Sequence, residues 1–230
     1  MLKKYLKIAK VFDENIKKKY ANFCNIIIDI NWKDIHYNRI AFINKAVSKI
    51  ENCNYLEIGC DNNECFQSIN AKNKIGVDPE KGGTKRCTSD NFFKNNIENF
   101  DVIFVDGLHT FEQCRTDIIN SLKFLNLNGY IFIHDLIPRT WSEENIPRLQ
   151  VFWTGDIWKV SLELMKSQGI EFNVIIADSG VGVIKKISNK ANYSQNYSEL
   201  KNLKYKDFID SLEIINFVTP EDFFTNIDKE

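Results

Sequence analysis

The chain has 230 residues, 43% hydrophobic and 27% charged, which fits a soluble globular protein with core enough for one large α/β domain. A formal net charge of −1 supplies no global positive field for nucleic acid or a membrane surface. Apolar runs such as "NIIIDI" and "YIFIHDLI" fall well short of the roughly 20 residues of a membrane span, and no apolar stretch with a cleavage site follows the Lys-rich start, so a cytoplasmic protein is expected.

Residues 2–20 place Leu2, Leu6, Ala9, Phe12, Ile16 and Tyr20 at helical spacing and predict an amphipathic helix. A second helix is predicted over 38–51, with Ile40, Ile43, Val47 and Ile50 inward. Short apolar runs then alternate with helical segments: strands over 54–58, 74–78, 101–106 and 129–134, helices over 62–70 and 111–125. Such alternation, with strands apolar on both faces, implies a mostly parallel sheet covered on both sides. A loop over 136–154 precedes a helix over 156–168 closed by Gly169. "FNVIIADSGVGVIKKI" predicts two strands flanking Ser179-Gly180, an antiparallel hairpin in which "DSGVGV" is a turn. Residues 188–230 read as a polar loop and one or two helices. The expected organisation is one domain: N-terminal helices over 1–52, a core over 53–187 and a C-terminal extension over 188–230.

The six cysteines (Cys24, Cys53, Cys60, Cys65, Cys87, Cys114) form no C-x-x-C pair and no Cys/His cluster, so a zinc site is not expected. Open α/β sheets bind ligands beyond the carboxyl ends of their strands. The first such end, "YLEIGCDNNE", carries Glu57 and Gly59; the second, "IGVDPE", carries Asp78, 21 residues after Glu57 and placed to bind a ribose. A dinucleotide needs a Gly-rich loop at its pyrophosphate. Here Gly59 stands alone and Asp61 and Glu64 follow, so a cationic ligand without phosphate, such as S-adenosylmethionine, suits the loop better than NAD.

"YLEIGC", "IGVDPE", "FDVIFVDGLHTFEQCRTDI" and "LNLNGYIFIHDLIP" together resemble class I S-adenosylmethionine-dependent methyltransferases, and more closely the branch with D-G-x-H followed by H-D, which includes small-molecule and sugar O-methyltransferases. The resemblance runs from about 55 to 187 and implies a Rossmann-like, seven-stranded sheet ending in an antiparallel hairpin. It implies Glu57 and Gly59 at the methionine end of the cofactor, Asp78 at the ribose, Ser89 and Asp90 at the adenine, and Asp106 near the sulfonium.

Methyl transfer from a sulfonium asks the enzyme to align the acceptor and remove its proton. His109 is the candidate general base, helped by a helix N-terminus that disfavours the imidazolium. Asp106 and Asp135 are alternatively candidate ligands of Mg²⁺, although Leu136 cannot supply a third oxygen and His134 suits that ion poorly. The plainer alternatives are that His134 bonds backbone at its strand end, that His109 caps the helix at 111, and that His36 is structural. In "VFWTGDIWK", Trp153 and Asp156 are candidate contacts for a sugar acceptor, with Asp156 alternatively an N-cap. The expected partner is thus a small-molecule acceptor, a sugar derivative by resemblance, with no nucleic acid and no membrane; self-association is left open. A nucleotide-dependent sugar oxidoreductase and a non-catalytic binding module of the same fold are the competing readings.

Overall fold

The computed structural model describes residues 1–8, 19 and 23–229. Leu2–Tyr5 is a 3-10 turn and Leu6–Ile8 (β1) a strand, paired antiparallel with Ile26–Ile28 (β2). The helix predicted over 2–20 is therefore replaced by extended structure at its start. Tertiary pairing with "III" overrides the helical spacing there, and the rest of that prediction lies largely outside the described residues. The second predicted helix is present as Arg39–Val47 (α1), capped by Asn38, whose side chain accepts from the Ala41 N–H; Glu64–Ser68 (α2) and Ser89–Asn95 (α3) follow.

The main sheet has seven strands: Asn54–Ile58 (β3), Asn73–Val77 (β4), Phe100–Val105 (β5), Leu125–Ile133 (β6), Ile170–Ile175 (β7), Val181–Lys186 (β8) and Phe217–Val218 (β9). Their spatial order is β4-β3-β5-β6-β8-β7-β9, with β4, β3, β5 and β6 parallel, β8 antiparallel to both its neighbours, and β9 parallel to β7. This is the Rossmann-like sheet with a terminal hairpin that the sequence implied. The hairpin turn gathers three successive left-handed residues, Asp178, Ser179 and Gly180. The edge strand β9 comes from the segment read as loop and helix; two residues carry too little pattern to reveal a strand.

Strand side chains alternate between two cores. Leu56, Ile58, Ile103, Val105, Ile131 and Ile133 face one, under the helix Phe111–Phe124 (α4); Tyr55, Val102, Phe104, Tyr130 and Phe132 face the other, under α1. Phe42 of α1 meets Phe223 of the C-terminal helix Pro220–Asp228 edge-on, with ring centroids 5.3 Å apart. Past β6, the stretch read as a loop contains a short helix, Trp141–Glu144. The helix predicted over 156–168 shrinks to a 3-10 turn at Ile157–Lys159 followed by Val160–Leu164. Its Glu163 is fully buried and accepts from Arg115 Nε (3.1 Å) and the Tyr193 hydroxyl (2.7 Å), which ties α4 to the C-terminal extension. No helix among the described residues is long and apolar enough to cross a membrane.

Candidate active site

Register decides what stands at the carboxyl edge of the sheet. Ile58 pairs with Val77 and with Val105, and Val105 with Ile133, so four strands end on one line. The next residues are Gly59, Asp78, Asp106 and His134. The β7–β8 turn returns to the same edge, because Ile133 pairs with Gly182, and it delivers Asp178 there. Gly59 adopts φ +85°, and a Cβ on it would lie 2.1 Å from the Asp106 carbonyl oxygen, so the turn after β3 packs directly on the turn after β5.

A cavity of about 490 Å³ opens over the ends of β3, β4 and β5, lined by Gly59, Asp78, Ser89, Asp90 and Asp106 among others. Asp78 is buried, and each of its oxygens accepts two backbone N–H groups: Oδ2 from Cys60 and Asp61, Oδ1 from Glu80 and Lys81, all at 2.8–3.0 Å. These bonds hold its carboxyl below the ordinary range against the opposing effect of burial. Gln113 Nε2 reaches Ser89 Oγ (3.3 Å), Asp90 Oδ1 (3.3 Å) and Asp117 Oδ1 (3.1 Å), joining α4 to the cavity wall. Burial pushes Asp117, which also lines the cavity, up to about 6. Glu57 departs from its expected place. It shares a face with Tyr55, accepts the Tyr55 hydroxyl at 2.5 Å, and does not line the cavity. The reason is strand alternation: Ile58 points to the cavity side and Glu57 to the other. Its Oε1 is buried without a partner, and burial pushes the carboxyl up to about 7.

Beside this cavity, six ionisable side chains meet. His134 Nδ1 lies 3.4 Å from both Asp106 Oδ1 and Asp135 Oδ1, and its Nε2 lies 3.5 Å from Asp178 Oδ1. His109 Nε2 is 3.4 Å from Asp106 Oδ1, and its Nδ1 is 3.4 Å from Asp135 Oδ2. Arg39 closes the set from the start of α1, with Nη1 2.9 Å from Asp178 Oδ2 and Nε 3.9 Å from Asp106 Oδ2. Burial alone lowers both histidines, but Asp106 and Asp135 outweigh it and raise them, His134 the more strongly. Burial opposes the ionisation of Asp106 and Asp178 too, yet His134 holds both well below the carboxylate range, aided by His109 at Asp106 and by Arg39 at Asp178. The expected helix-dipole effect on His109 is thus overruled: whole carboxylates at 3.4 Å outweigh the partial charge of a helix terminus. Nor does His109 cap α4; Thr110 does, its hydroxyl accepting from the Gln113 N–H. His134 likewise does more than bond backbone.

A second cavity, about 690 Å³, is lined by His109, His134, Asp135, Asp178, Arg139 and Trp153 among others, and it shares Gly107, Leu108, Asp61 and Glu80 with the first. The D-G-L-H turn is the partition between them. Trp153 stacks on His109, centroids 5.5 Å apart at 24°, and its carbonyl oxygen lies 3.0 Å from His109 Nδ1. Asp156 does not line the cavity and does not cap its own helix: Oδ1 accepts from the Phe111 N–H at 2.7 Å, and Oδ2 pairs with Lys159. Trp158 is fully buried against Phe208 and belongs to the core. His36 is exposed and apart from both cavities. All six cysteines are free, and none lines either cavity.

Sequence reading alone misses Asp178, Arg39, Gln113 and Asp117. Asp178 carries a signal in hindsight: an acid in a hairpin that must return to the ligand edge. Arg39 carries none, because only the packing of α1 against the sheet brings it there.

A family model described as a methyltransferase domain matches residues 58–136, from the end of β3 through the His134-Asp135 pair. Among solved structures, an S-adenosylhomocysteine-bound methyltransferase from Podospora anserina is 18% identical, covering 78% of this chain and 98% of its own, with a TM-score of 0.50. A protein provisionally described as a caffeoyl-CoA O-methyltransferase, from Staphylococcus aureus, is 12% identical over 75% of this chain and 91% of its own, with a TM-score of 0.51. The fold is that of the class I S-adenosylmethionine-dependent methyltransferases. The sequence match falls on the strands that carry Asp78, Asp106 and His134. No curated protein matches the sequence.

Proposed function

We propose that the protein transfers a methyl group from S-adenosylmethionine to a hydroxyl of a small polar acceptor, with a sugar or sugar-bearing metabolite as the acceptor class. The observation that carries this is the pair of cavities divided by the D-G-L-H turn. Around the first, Asp61, Asp78, Glu80, Asp90, Asp106 and Asp117 outnumber the cations beside them, Lys81 in the lining and Arg86, whose Nη1 lies 3.7 Å from Asp78 Oδ1. Such a wall repels the pyrophosphate of a nicotinamide cofactor and suits a cationic sulfonium, which disfavours the oxidoreductase reading. Gly59, Asp78, Ser89 and Asp90 would hold the cofactor. For Asp78 to meet a ribose, its oxygens must share hydrogen bonds that they already make to backbone. Asp106, on the partition, stands where the sulfonium and the acceptor oxygen would meet.

His109 is the general base in this reading. The Trp153 carbonyl can only accept a hydrogen bond, so it selects the tautomer with the proton on Nδ1 and leaves the Nε2 lone pair for the acceptor hydroxyl. The other polar groups of the second cavity, Asp135 and Asp178 with Arg139, supply the hydrogen-bonding variety that a polyol requires. Trp153 offers little stacking surface to a sugar, because His109 stacks on its ring and the Arg148 guanidinium lies 5.7 Å from the ring centroid.

A second reading involves a cation. One atom from each of Asp106, His134 and Asp135 lies within 4.8 Å of the others, a set that fits a divalent ion. Two carboxylates and an imidazole suit Mn²⁺ or a neighbouring transition metal better than the Mg²⁺ expected from Asp106 and Asp135 alone. When bound, it would act as a Lewis acid on the acceptor hydroxyl.

Calorimetric titration with S-adenosylhomocysteine, followed by a mass-spectrometric screen of polyol acceptors for the gain of one methyl group, tests the proposal. Binding with turnover supports it. Binding without turnover across a broad panel favours a non-catalytic module, and tight NAD binding instead overturns it.

A further inference from the structure

We infer that the segment Trp153–Asp156 is a positioning device for His109, with Gly155 and Asp156 as positioning residues; this rests on the assignment of His109 as the base. The turn after β5 has little to hold the imidazole by itself. Within it, the Thr110 N–H donates to the Leu108 carbonyl, and the ring faces carboxylates at 3.4 Å on two sides, Asp106 and Asp135. Near-equal acceptors at the two ring nitrogens leave the two neutral tautomers close in energy. The shorter contact, 3.0 Å from Nδ1 to the Trp153 carbonyl, breaks that tie, and the indole stacks against the ring.

The segment is fixed on the far side. The N–H groups of Thr154 and Gly155 both donate to the Glu143 carbonyl, at 3.0 and 3.1 Å. Glu143 in turn binds Arg139 through its carboxylate. Gly155 has φ +65°, and a Cβ there would lie 1.8 Å from the His109 carbonyl oxygen, so the two backbones touch and only glycine fits. Asp156 completes the clasp. It accepts the Phe111 N–H, an orphan donor of the first turn of α4, two residues beyond His109. Its second oxygen is held at 2.7 Å by Lys159, a buried ammonium that also donates to the Lys201 carbonyl. An acid that merely capped a helix would sit on its own element; this one reaches across from another.

The test is the tautomer of His109. Two-bond ¹H–¹⁵N correlation spectra of ¹⁵N-histidine-labelled protein resolve the three histidines, with His109→Gln identifying its signals. At a pH where the ring is neutral, wild type should show the proton on Nδ1, the tautomer less favoured in water. Asp156→Ala should lose that signature and lower kcat about 10–100-fold with unchanged affinity for S-adenosylhomocysteine. Asp156→Asn, which keeps an oxygen for the Phe111 N–H, should restore the signature and much of the rate. Gly155→Ala should resemble Asp156→Ala. A wild-type ring protonated on Nε2 overturns the inference, and this measurement needs no variant to fold. It also falls if Asp156→Ala keeps both signature and kcat. If no acceptor is ever methylated but the signature still responds to Asp156→Ala, the clasp stands and the assignment of His109 as a base does not.

Discussion

His134 stands between Asp106 and Asp178, with one ring nitrogen 3.4 Å from the first and the other 3.5 Å from the second. A neutral ring carries a proton on only one nitrogen, so it satisfies one of these carboxylates; the imidazolium satisfies both. Without it, Asp106, Asp135 and Asp178 keep only Arg39 and His109 as cationic neighbours. His134→Gln should therefore cost about 3–5 kcal/mol, the usual result of unpairing buried charge. The pH dependence has a definite sign. The folded-state pKa of His134 is raised above its ordinary value, so its stabilisation is complete below the unfolded pKa and is lost as pH rises through the folded one. Denaturant titrations should show the largest deficit of the variant at about pH 6 and a smaller one at about pH 9. A deficit independent of pH would mean that His134 is neutral in the fold.

Asp78 is expected to govern cofactor affinity through structure as much as contact. Its four backbone partners belong to the turn after β3 and the turn after β4, so one carboxylate holds both walls of the first cavity. Asp78→Ala would orphan four donors, each worth about 1–3 kcal/mol if left buried and unpaired. Calorimetry should show S-adenosylhomocysteine affinity falling about 100-fold or more, while Asp90→Ala, at the exposed rim, should cost about tenfold or less. Equal effects would argue against this division of labour.

The parallel half of the sheet is legible in the sequence because the ends of β5 and β6 are buried on both faces and read as unbroken apolar runs, with shorter apolar stretches in β3 and β4. Asp78, Asp106 and His134 are legible for the same reason, since each directly follows such a run. Glu57 shows the limit of that logic: at the last-but-one strand position, pleat alternation turned it to the opposite face. Asp178 is announced only by the hairpin that must return to the ligand edge, and Arg39 by no local pattern, since the packing of α1 against the sheet brings it there. In the segment after β6, Trp153 stays at the second cavity but stacks on His109, and Trp158 is buried in the core. Burial and stacking consumed those rings, and sequence spacing reports neither.

Glu57 gives a second pH-dependent test, independent of turnover. Its folded-state pKa of about 7 lies above the ordinary carboxyl value because of burial. A raised carboxyl pKa means that ionisation opposes folding: the penalty is absent below the unfolded pKa and grows as pH rises, until it levels off above about 7. Glu57→Gln keeps an acceptor for the Tyr55 hydroxyl and removes the charge. It should raise the Tm at pH 8 and leave it little changed at pH 4. A variant less stable at pH 8 would show that the ionised carboxylate has a partner in the fold.

The cation reading separates from the base reading by chelation. If His109 acts without a metal, dialysis against a chelator leaves kcat unchanged. If Asp106, His134 and Asp135 hold an ion, activity falls on dialysis and returns preferentially with Mn²⁺, since a site containing an imidazole favours transition metals over Mg²⁺. Asp135→Asn then distinguishes further, because in the metal-free reading it mainly removes a neighbour that raises the His109 pKa.

His109 itself carries the sharpest expectation. Its ring lines the second cavity, its Nδ1 faces a carbonyl that accepts, and its Nε2 stands beside Asp106 on the partition between the cavities. A general base must be unprotonated to act, and the neighbouring carboxylates raise its pKa above the ordinary 6.5. The rate should therefore be low in acid and climb with pH through a midpoint above that value. Replacing Asp135 with Asn should move the midpoint down, since one of the fields that raises it is gone. His109→Ala should lower kcat by about 10²–10⁴-fold, abolish the acid limb, and leave S-adenosylhomocysteine affinity nearly intact, because the ring lines only the second cavity. A His109→Ala enzyme with near-normal kcat and an unchanged acid limb would move the base to another group, and Asp106, on the same turn, would be the first to test.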